Sequence, residues 1–501
     1  MGFFKKHYQF IVIVGLISLY FFTRLFHILT LPIFTDEAIY IRWSQVASND
    51  AAWRFIALTD GKQPMLVWIA MIFVKVIHDP LLAGRFVSVL AGFFSLIGIF
   101  FLTKELFQKK SIALLASLLY VLYPFSLVYD RLALYDSLVA MFMIWSLYFE
   151  ILLVKYKRLD LALILGMIIG GGLLTKTSAN FALILLPFSL LLFVSNGKSR
   201  LMQLGKWVLF AGVATVIANA MYSILRLSQF YYIIEEKNYV FIFPLKEWLM
   251  HPFEFFTSNF NGLSSWLVSY ATVPFLILVA AAFLVGRKYY KEKLLLLIWF
   301  VVPFISLAFF GRVIYPRFIL FMTMPLLVLA AYSLYHMIIF TKKVWLRILI
   351  VLVFTSMFIV TDYYIITDLV KAAIPSTDKM QLISSWPAGQ GVKETVAYLQ
   401  EQSKKGKIYV ATEGTFGLMP YALEIYLKDN PNIKIVGFWP IHPEPPKEIL
   451  EAAKTMPTYL IFYQECFTCD HIGIKPISWP GKQIIQIEKP EKNTFYTLYQ
   501  L

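Results

Sequence analysis

Residues 64–77 read PMLVWIAMIFVKVI, and the topology of the whole chain turns on whether this stretch crosses a membrane. It is shorter than the roughly 20 apolar residues a helix needs to span hydrocarbon, it begins at a proline, and it carries Lys75. Longer apolar runs flank it at 9–29, 83–103, 111–129, 136–154, 161–175, 178–194, 206–225, 270–286, 294–310, 317–340 and 344–366. The chain of 501 residues is 59% hydrophobic and only 15% charged, with mean hydropathy +0.69, which is the composition of an integral membrane protein.

Charge decides the question. Lys5 and Lys6 place the N-terminus in the cytoplasm, because basic residues flanking spans stay inside. If 64–77 does not cross, one group of inner loops holds Lys104/Lys109/Lys110, Lys155/Lys157/Arg158 and Lys198/Arg200/Lys206. The remaining two hold Arg287/Lys288/Lys291/Lys293 and Lys342/Lys343/Arg347, so every basic cluster between spans lies inside. If it did cross, most of them would lie outside. The stretch is therefore expected as a half-buried helix on the outer surface. The run to Leu29 lacks a small-residue cleavage site and is expected as a retained first helix.

The resulting expectation is an all-α polytopic core of eleven spans at 1–366, with outer loops 30–82 and 226–269. The tail at 367–501 follows, with its C-terminus outside a cell (plasma) membrane. Within it, 391–404 reads as an amphipathic helix, 407–411 as a strand, and helix and strand then alternate through 417–428, 432–437, 445–455 and 458–463. That alternation predicts a small extracytoplasmic α/β domain. The net charge of +15 is accounted for by helix orientation rather than by nucleic acid, which is not expected as a partner. Cys466 and Cys469 are too few for a disulfide framework, and with His471 they fall short of a tetrahedral zinc site; a single disulfide or two thiols fits better.

The charges left at the outer ends of spans are the informative ones, since a charge in the bilayer costs roughly 2.5–3.5 kcal/mol on insertion scales. Thr35-Asp36-Glu37 follows the first span, either as a functional carboxylate pair or as a helix start capped by Thr35. Asp60-Gly61-Lys62-Gln63-Pro64 places a cation at the membrane surface, to meet a lipid phosphate or simply to snorkel. Asp130-Arg131-Leu132-Ala133-Leu134-Tyr135-Asp136 puts three charges into one turn, where Arg131 with Asp130 or Asp136 reads equally as a structural ion pair. Gly170-Gly171-Gly172 allows close helix approach or a bend before Lys176. Gly311-Arg312-Val313-Ile314-Tyr315-Pro316-Arg317 sets two arginines outside, against the positive-inside trend, so they want an anion. Together these suit a ligand with a lipid tail, a phosphate and a polar headgroup.

Taken in order, TDEAIY, DGKQPMLVWI, AGRFVSVLAG, RLALYDSL, GGLLTKTSA and GRVIYPRFIL resemble the GT-C superfamily of membrane glycosyltransferases. The resemblance is to the branch of protein O-mannosyltransferases, lipid A aminoarabinose transferases and their bacterial relatives, and covers about 9–340. The tail stretch SSWPAGQGVKETVAYL is similar to a segment found after the spans in many bacterial members. The resemblance implies catalytic roles for Asp36, with Glu37 as neighbour, and for Asp136. Substrate-binding roles follow for Lys62, Lys176, Arg312 and Arg317, and Arg131 and Tyr315 join them as candidates from their places in the same outer turns. Gln63-Pro64 stands where the family has His-Pro-Pro or Lys-Pro-Pro, so a histidine role is absent.

The implied activity is transfer of a hexose or pentose from a polyprenyl-phosphate donor, with inversion, to a lipid, cell-envelope glycan or protein acceptor at the outer face. The leaving phosphate needs cations and the acceptor hydroxyl needs a base, for which Asp36 is the expectation. A divalent metal on Asp36, Glu37 or Asp136 stays open, as do the sugar and the acceptor. The rival readings are a lipid or oligosaccharide transporter or flippase, and a glycan ligase or polymerase with a diphosphate-linked donor. Charges clustered at outer ends rather than mid-membrane disfavour transport.

Overall fold

The computed structural model describes residues 2–195, 199–285, 288–466, 474–490 and 493–501. The cysteine–histidine cluster at 469–471 lies outside the described residues. The chain is a multi-pass helical membrane protein with a small mixed sheet at its C-terminal end.

Helix occupies each of the eleven apolar runs, but the runs do not all become straight spans. Among the described residues, six helices are long and apolar enough to cross: Pro80–Phe107, Tyr135–Tyr156, Arg200–Leu227, Tyr290–Phe310, Pro316–Ile339 and Val344–Thr367. The number reaches eight if each of two bent pairs is one span. Lys110–Val121 meets Pro124–Asp130 at 60°, because Pro124 lacks an N–H and pushes Tyr123 into an extended conformation. Phe256–Ala271 meets Val273–Leu284 at 98°, across Thr272 at φ 59°, so the expected run 270–286 breaks near its start. Phe10–Leu25, Leu159–Leu173 and Thr177–Leu192 are shorter apolar helices. The deciding stretch forms the helix Met65–Val76, whose 12 residues rise only about 18 Å, well short of the roughly 30 Å hydrocarbon core.

The three glycines at 170–172 provide close approach rather than a bend. A Cβ on Gly171 would come within 2.5 Å of the Phe142 ring, and one on Gly170 within 2.7 Å of Met221 Sδ.

The tail strands are β1 (Ile408–Glu413), β2 (Ile433–Phe438), β3 (Thr458–Cys466), β4 (Lys482–Glu488) and β5 (Thr494–Gln500), ordered β2-β1-β3-β5-β4. β1 runs parallel to both neighbours, with Val410 opposite Ile435 on one side and Tyr459 on the other. Helices Leu418–Leu427 and Lys447–Thr455 make the crossovers that parallel pairing requires. β5 lies antiparallel between β3 and β4, a pair of strands the sequence reading left unassigned.

The tail is fastened to the core at several points: the Tyr270 hydroxyl donates to Asp378, the Gly389 N–H donates to the Ile33 carbonyl, and one core helix packs on a tail helix. Thr35–Asn49 packs against Leu418–Leu427, with Gln45 Nε2 donating to the Ile425 carbonyl at 2.9 Å and Arg42 paired to Glu424 at 2.5 Å. Ile33, Ala38 and Ile41 of the core share a buried apolar cluster with Val410, Leu423 and Tyr496 of the tail.

Candidate active site at the outer loops

Asp36 owes its position to its neighbour. The helix Thr35–Asn49 starts from Phe34, not from Thr35 as the cap: Glu37 reaches back to accept from the Phe34 N–H at 3.0 Å, one half of a capping box, since Phe34 has no side-chain acceptor for the other. Thr35 is the first helical residue, and its N–H and hydroxyl both donate to the Pro387 carbonyl at 2.9 Å. Glu37 is turned inward and fully buried, taking Arg85 Nε and Nη2 at 2.8 Å each and the Ala133 N–H at 2.8 Å. Arg85 spends its remaining donors on the carbonyls of Ile28, Leu31 and Pro32. The expected catalytic role for Glu37 therefore does not hold. Asp36, one residue away and about 100° around the helix, faces a cavity instead.

That cavity, about 310 Å³ in volume, is lined by Asp36, Lys62, Asp136, Lys176 and Arg317 from five separate stretches of sequence. Arg317 Nη2 pairs with Asp36 Oδ2 at 3.1 Å, and Lys176 Nζ donates to Asp136 Oδ1 at 2.7 Å. The Phe318 ring lies 4.4 Å from Lys176 Nζ, and the Tyr315 ring 4.9 Å from the Arg317 guanidinium. One flank is apolar, built from Phe181, Ile184, Leu307, Phe310, Phe321 and Met322.

Lys62 differs from the other cations. Among the described residues its ammonium makes no hydrogen bond or ion pair; its recorded contact is with the face of the Phe241 ring, 5.0 Å away. Burial pushes its pKa down to about 8, with Asp36 and Asp60 holding it from falling further and Lys176 and Arg317 lowering it. Gly61 sets up this geometry. Its φ of 65° turns the chain, and a Cβ there would meet Lys237 Cβ at 2.5 Å and the Ile233 carbonyl at 2.7 Å. The helix Ile233–Phe241 can thus close over the cavity, and Lys237 pairs with Asp60 at 2.5 Å.

The structure separates the other expected residues from this group. Arg131 caps the first helix, donating to the carbonyls of Thr23, Arg24, Phe26 and His27 at 2.7–3.2 Å. Nor does it pair with Asp130 or Asp136; Asp130 joins Arg24 at 3.4 Å in a buried cluster with Tyr120 and Ser137. Arg312 stands at the surface, paired with Glu247 at 3.5 Å and donating to the Tyr239 carbonyl. Tyr315 lies outside the cavity lining and touches it through Arg317 and Phe318. Of the three carboxylates considered for a metal, Glu37 is saturated by Arg85 and two backbone N–H groups, whereas Asp36 and Asp136 each face the cavity and a cation.

Lys237, Asn238, Tyr40 and Tyr135 line the cavity without having been picked out in the sequence. Gln63 Nε2 donates to Thr177 Oγ1 at 2.8 Å, and Thr177 Oγ1 to Asn238 Oδ1 at 3.2 Å, tying three loops around the opening. The available signal was the placement of loop 226–269 on the same side as Asp36, with Lys237 one of its few cations.

The family described as dolichyl-phosphate-mannose-protein mannosyltransferase matches residues 61–222, less than half of the chain. ArnT from Cupriavidus metallidurans bound to undecaprenyl phosphate superposes with a TM-score of 0.59 at 12% identity, covering 98% of each chain. The chain has the GT-C glycosyltransferase fold. ArnT in the apo state gives 0.59 at 13% identity, over 99% of this chain and 98% of that one. The Archaeoglobus fulgidus oligosaccharyltransferase tethered to an acceptor peptide gives 0.52 at 14% identity, over 92% and 70%. Comparison of the sequence with curated proteins gives no match. The matched segment 61–222 contains Lys62, Asp136 and Lys176, whereas Asp36 and Arg317 lie beyond it.

Replacing Glu37 by Leu leaves the buried Arg85 charge uncompensated and is expected to destabilise the protein by about 3–5 kcal/mol. Asp36→Asn, at the cavity wall, should leave the thermal unfolding midpoint in detergent within a few degrees of the parent. Equal losses for both variants would contradict the division of roles between these adjacent carboxylates.

Proposed function

We propose that this GT-C protein is a membrane glycosyltransferase that moves a sugar from a polyprenyl-phosphate carrier to an acceptor hydroxyl, inverting the anomeric centre. The observation that carries this reading is Lys62, a half-buried ammonium with no carboxylate of its own, facing a cavity that also presents Asp36. An unpaired buried cation wants an anion, and the apolar flank of the same cavity suits an isoprenoid tail. ArnT, which shares the fold, is described bound to undecaprenyl phosphate.

In the reaction the acceptor oxygen attacks the anomeric carbon while its proton passes to the Asp36 carboxylate. The bond from that carbon to the phosphate oxygen breaks, and the departing phosphate monoester gains negative charge. Lys62 neutralises that charge, so no proton need be donated to the leaving group. Arg317 holds Asp36 oriented, and Lys176 does the same for Asp136, which offers a second acceptor for sugar hydroxyls.

Asp36→Asn should lower the transfer rate by about 10²–10⁴-fold, the usual worth of general base catalysis, with polyprenyl-phosphate affinity retained. A variant of undiminished rate in membranes supplied with the labelled donor would remove Asp36 from the mechanism. The Lys62 ammonium, with its pKa near 8, is charged below that pH and neutral above it. Accordingly kcat/KM for the donor should fall as pH rises through about 8. Lys62→Arg, whose guanidinium stays charged, should hold the rate up to at least about pH 9.5. An identical alkaline limb in Lys62→Arg would assign that titration elsewhere.

The active face is the outer face of the cell membrane, with the N-terminus in the cytoplasm and the tail outside. The placement of every basic interspan cluster supports this orientation. With Cys466 and Cys469 replaced by Ser, Asp50→Cys should react with an impermeant maleimide added outside intact cells. Labelling confined to inside-out vesicles would reverse the topology.

A further inference from the structure

Asp36 sits on the seam between core and tail, and the tail brings exposed aromatic rings to that seam. Pro387, whose carbonyl takes both donors of Thr35, is preceded by Trp386. Gly417, at φ 113°, also lies against Thr35, where a Cβ would sit in ordinary contact 3.6 Å from Thr35 Cγ2. Phe416 precedes it, in a loop held by the Gly414 N–H donating to the Phe438 carbonyl at 2.9 Å. Trp386 is 49% exposed and Phe416 50%, and each adjoins a residue that touches Thr35.

Phe416 is joined to the cavity wall by a chain of ring contacts that passes through the buried Trp43. Tyr135 and Tyr40 line the cavity with centroids 4.7 Å apart. Tyr40 lies 5.8 Å from Trp43, and Trp43 lies 6.4 Å from Phe416. An aromatic ladder thus runs from the Asp36 cavity out to the tail surface. Cations beside it are occupied: Arg42 by Glu424 at 2.5 Å, and Lys489 by the carbonyls of Ser385 and Ala388 at 3.3 and 2.9 Å. Such a wall offers aromatic faces and paired charges, in contrast to the cation-rich donor side.

We infer that Trp386 and Phe416 form the acceptor platform, and that the acceptor is a neutral saccharide whose ring stacks on them with a hydroxyl directed at Asp36. This rests on the reading of Asp36 as the base. Flat aromatic faces match the C–H faces of a sugar ring and cost little conformational entropy to hold in place. An acceptor recognised by phosphate groups would need cations turned toward it, whereas Arg42 is held by Glu424 and Lys489 is buried against backbone carbonyls.

The test uses the full chain in nanodiscs, with methyl maltoside and methyl mannobioside as neutral probes, glucose 6-phosphate as the charged one, and undecaprenyl phosphate for the donor side. Saturation-transfer NMR should show ring-proton contacts for a neutral disaccharide. These should fall at least fivefold in Phe416→Leu and Trp386→Leu, and persist in Phe416→Trp, while undecaprenyl phosphate binds all four proteins alike. Neutral probes that show no contact, or contacts insensitive to both leucine variants, overturn the inference. So does a preference for glucose 6-phosphate, or a leucine-variant defect only in binding to phosphatidylglycerol vesicles, which would make the rings a lipid anchor. Failure of the unaltered chain to bind undecaprenyl phosphate would instead strike the donor reading, and is read separately.

Discussion

Glu37 and Arg85 meet with neither side chain exposed, joined by two hydrogen bonds of 2.8 Å, and every other feature of the site is built outward from that pair. Desolvating two charges is expensive, and it is tolerated only when the remaining lone pairs and N–H groups are also satisfied. Here they are. Glu37 takes two backbone N–H groups as well, and Arg85 gives to three carbonyls of the chain that leads out of the first span. The pair thereby fixes where the helix Thr35–Asn49 begins, how the preceding loop enters it, and how the loop before Tyr135 lies against both. Asp36 points into the cavity because Glu37 cannot.

A second constraint governs the cations. Arg317 and Lys176 each face a carboxylate of the cavity, and Lys237 faces Asp60 beside it, so these charges are compensated before any ligand arrives. Lys62 is left over against the Phe241 ring. A site built this way can accept one further negative charge at a defined place, without the cost of opening an existing ion pair. The tail has a mechanical part in the same arrangement: its Pro387 carbonyl and its Leu418–Leu427 helix hold the front and the flank of the Asp36 helix.

Much of this was legible in the residues. Apolar run lengths and the side preference of lysines marked out the helices and set apart 64–77, because hydrocarbon imposes length and orientation on any sequence within it. Asp36, Lys62, Asp136, Lys176 and Arg317 stood out because a charge at the outer end of a span must find a counter-charge, a headgroup or a ligand. The errors came where one residue type serves two purposes. Arg131 looks like an anion binder in a turn of three charges, yet its donors fill the carbonyl end of the first helix. Glu37 looks like a catalytic neighbour, yet it is a helix cap and counter-ion. Local pattern cannot distinguish these, since the partners lie 48 residues away for Glu37 and more than 100 for Arg131.

The amino-acid sequence by itself determined that the chain is a multi-pass membrane protein with a mixed tail, and which charged residues are candidates for a site. Those properties depend on composition and on spacing along one helix or strand, which are local. Tertiary structure alone decided which of two adjacent carboxylates faces the cavity, that Lys237 and Tyr40 join the lining, and that Phe416 of the tail meets Trp43 of the Asp36 helix. Each of these depends on distant segments competing for the same donors, acceptors and buried space. The outcome of that competition is set only when the helices have packed.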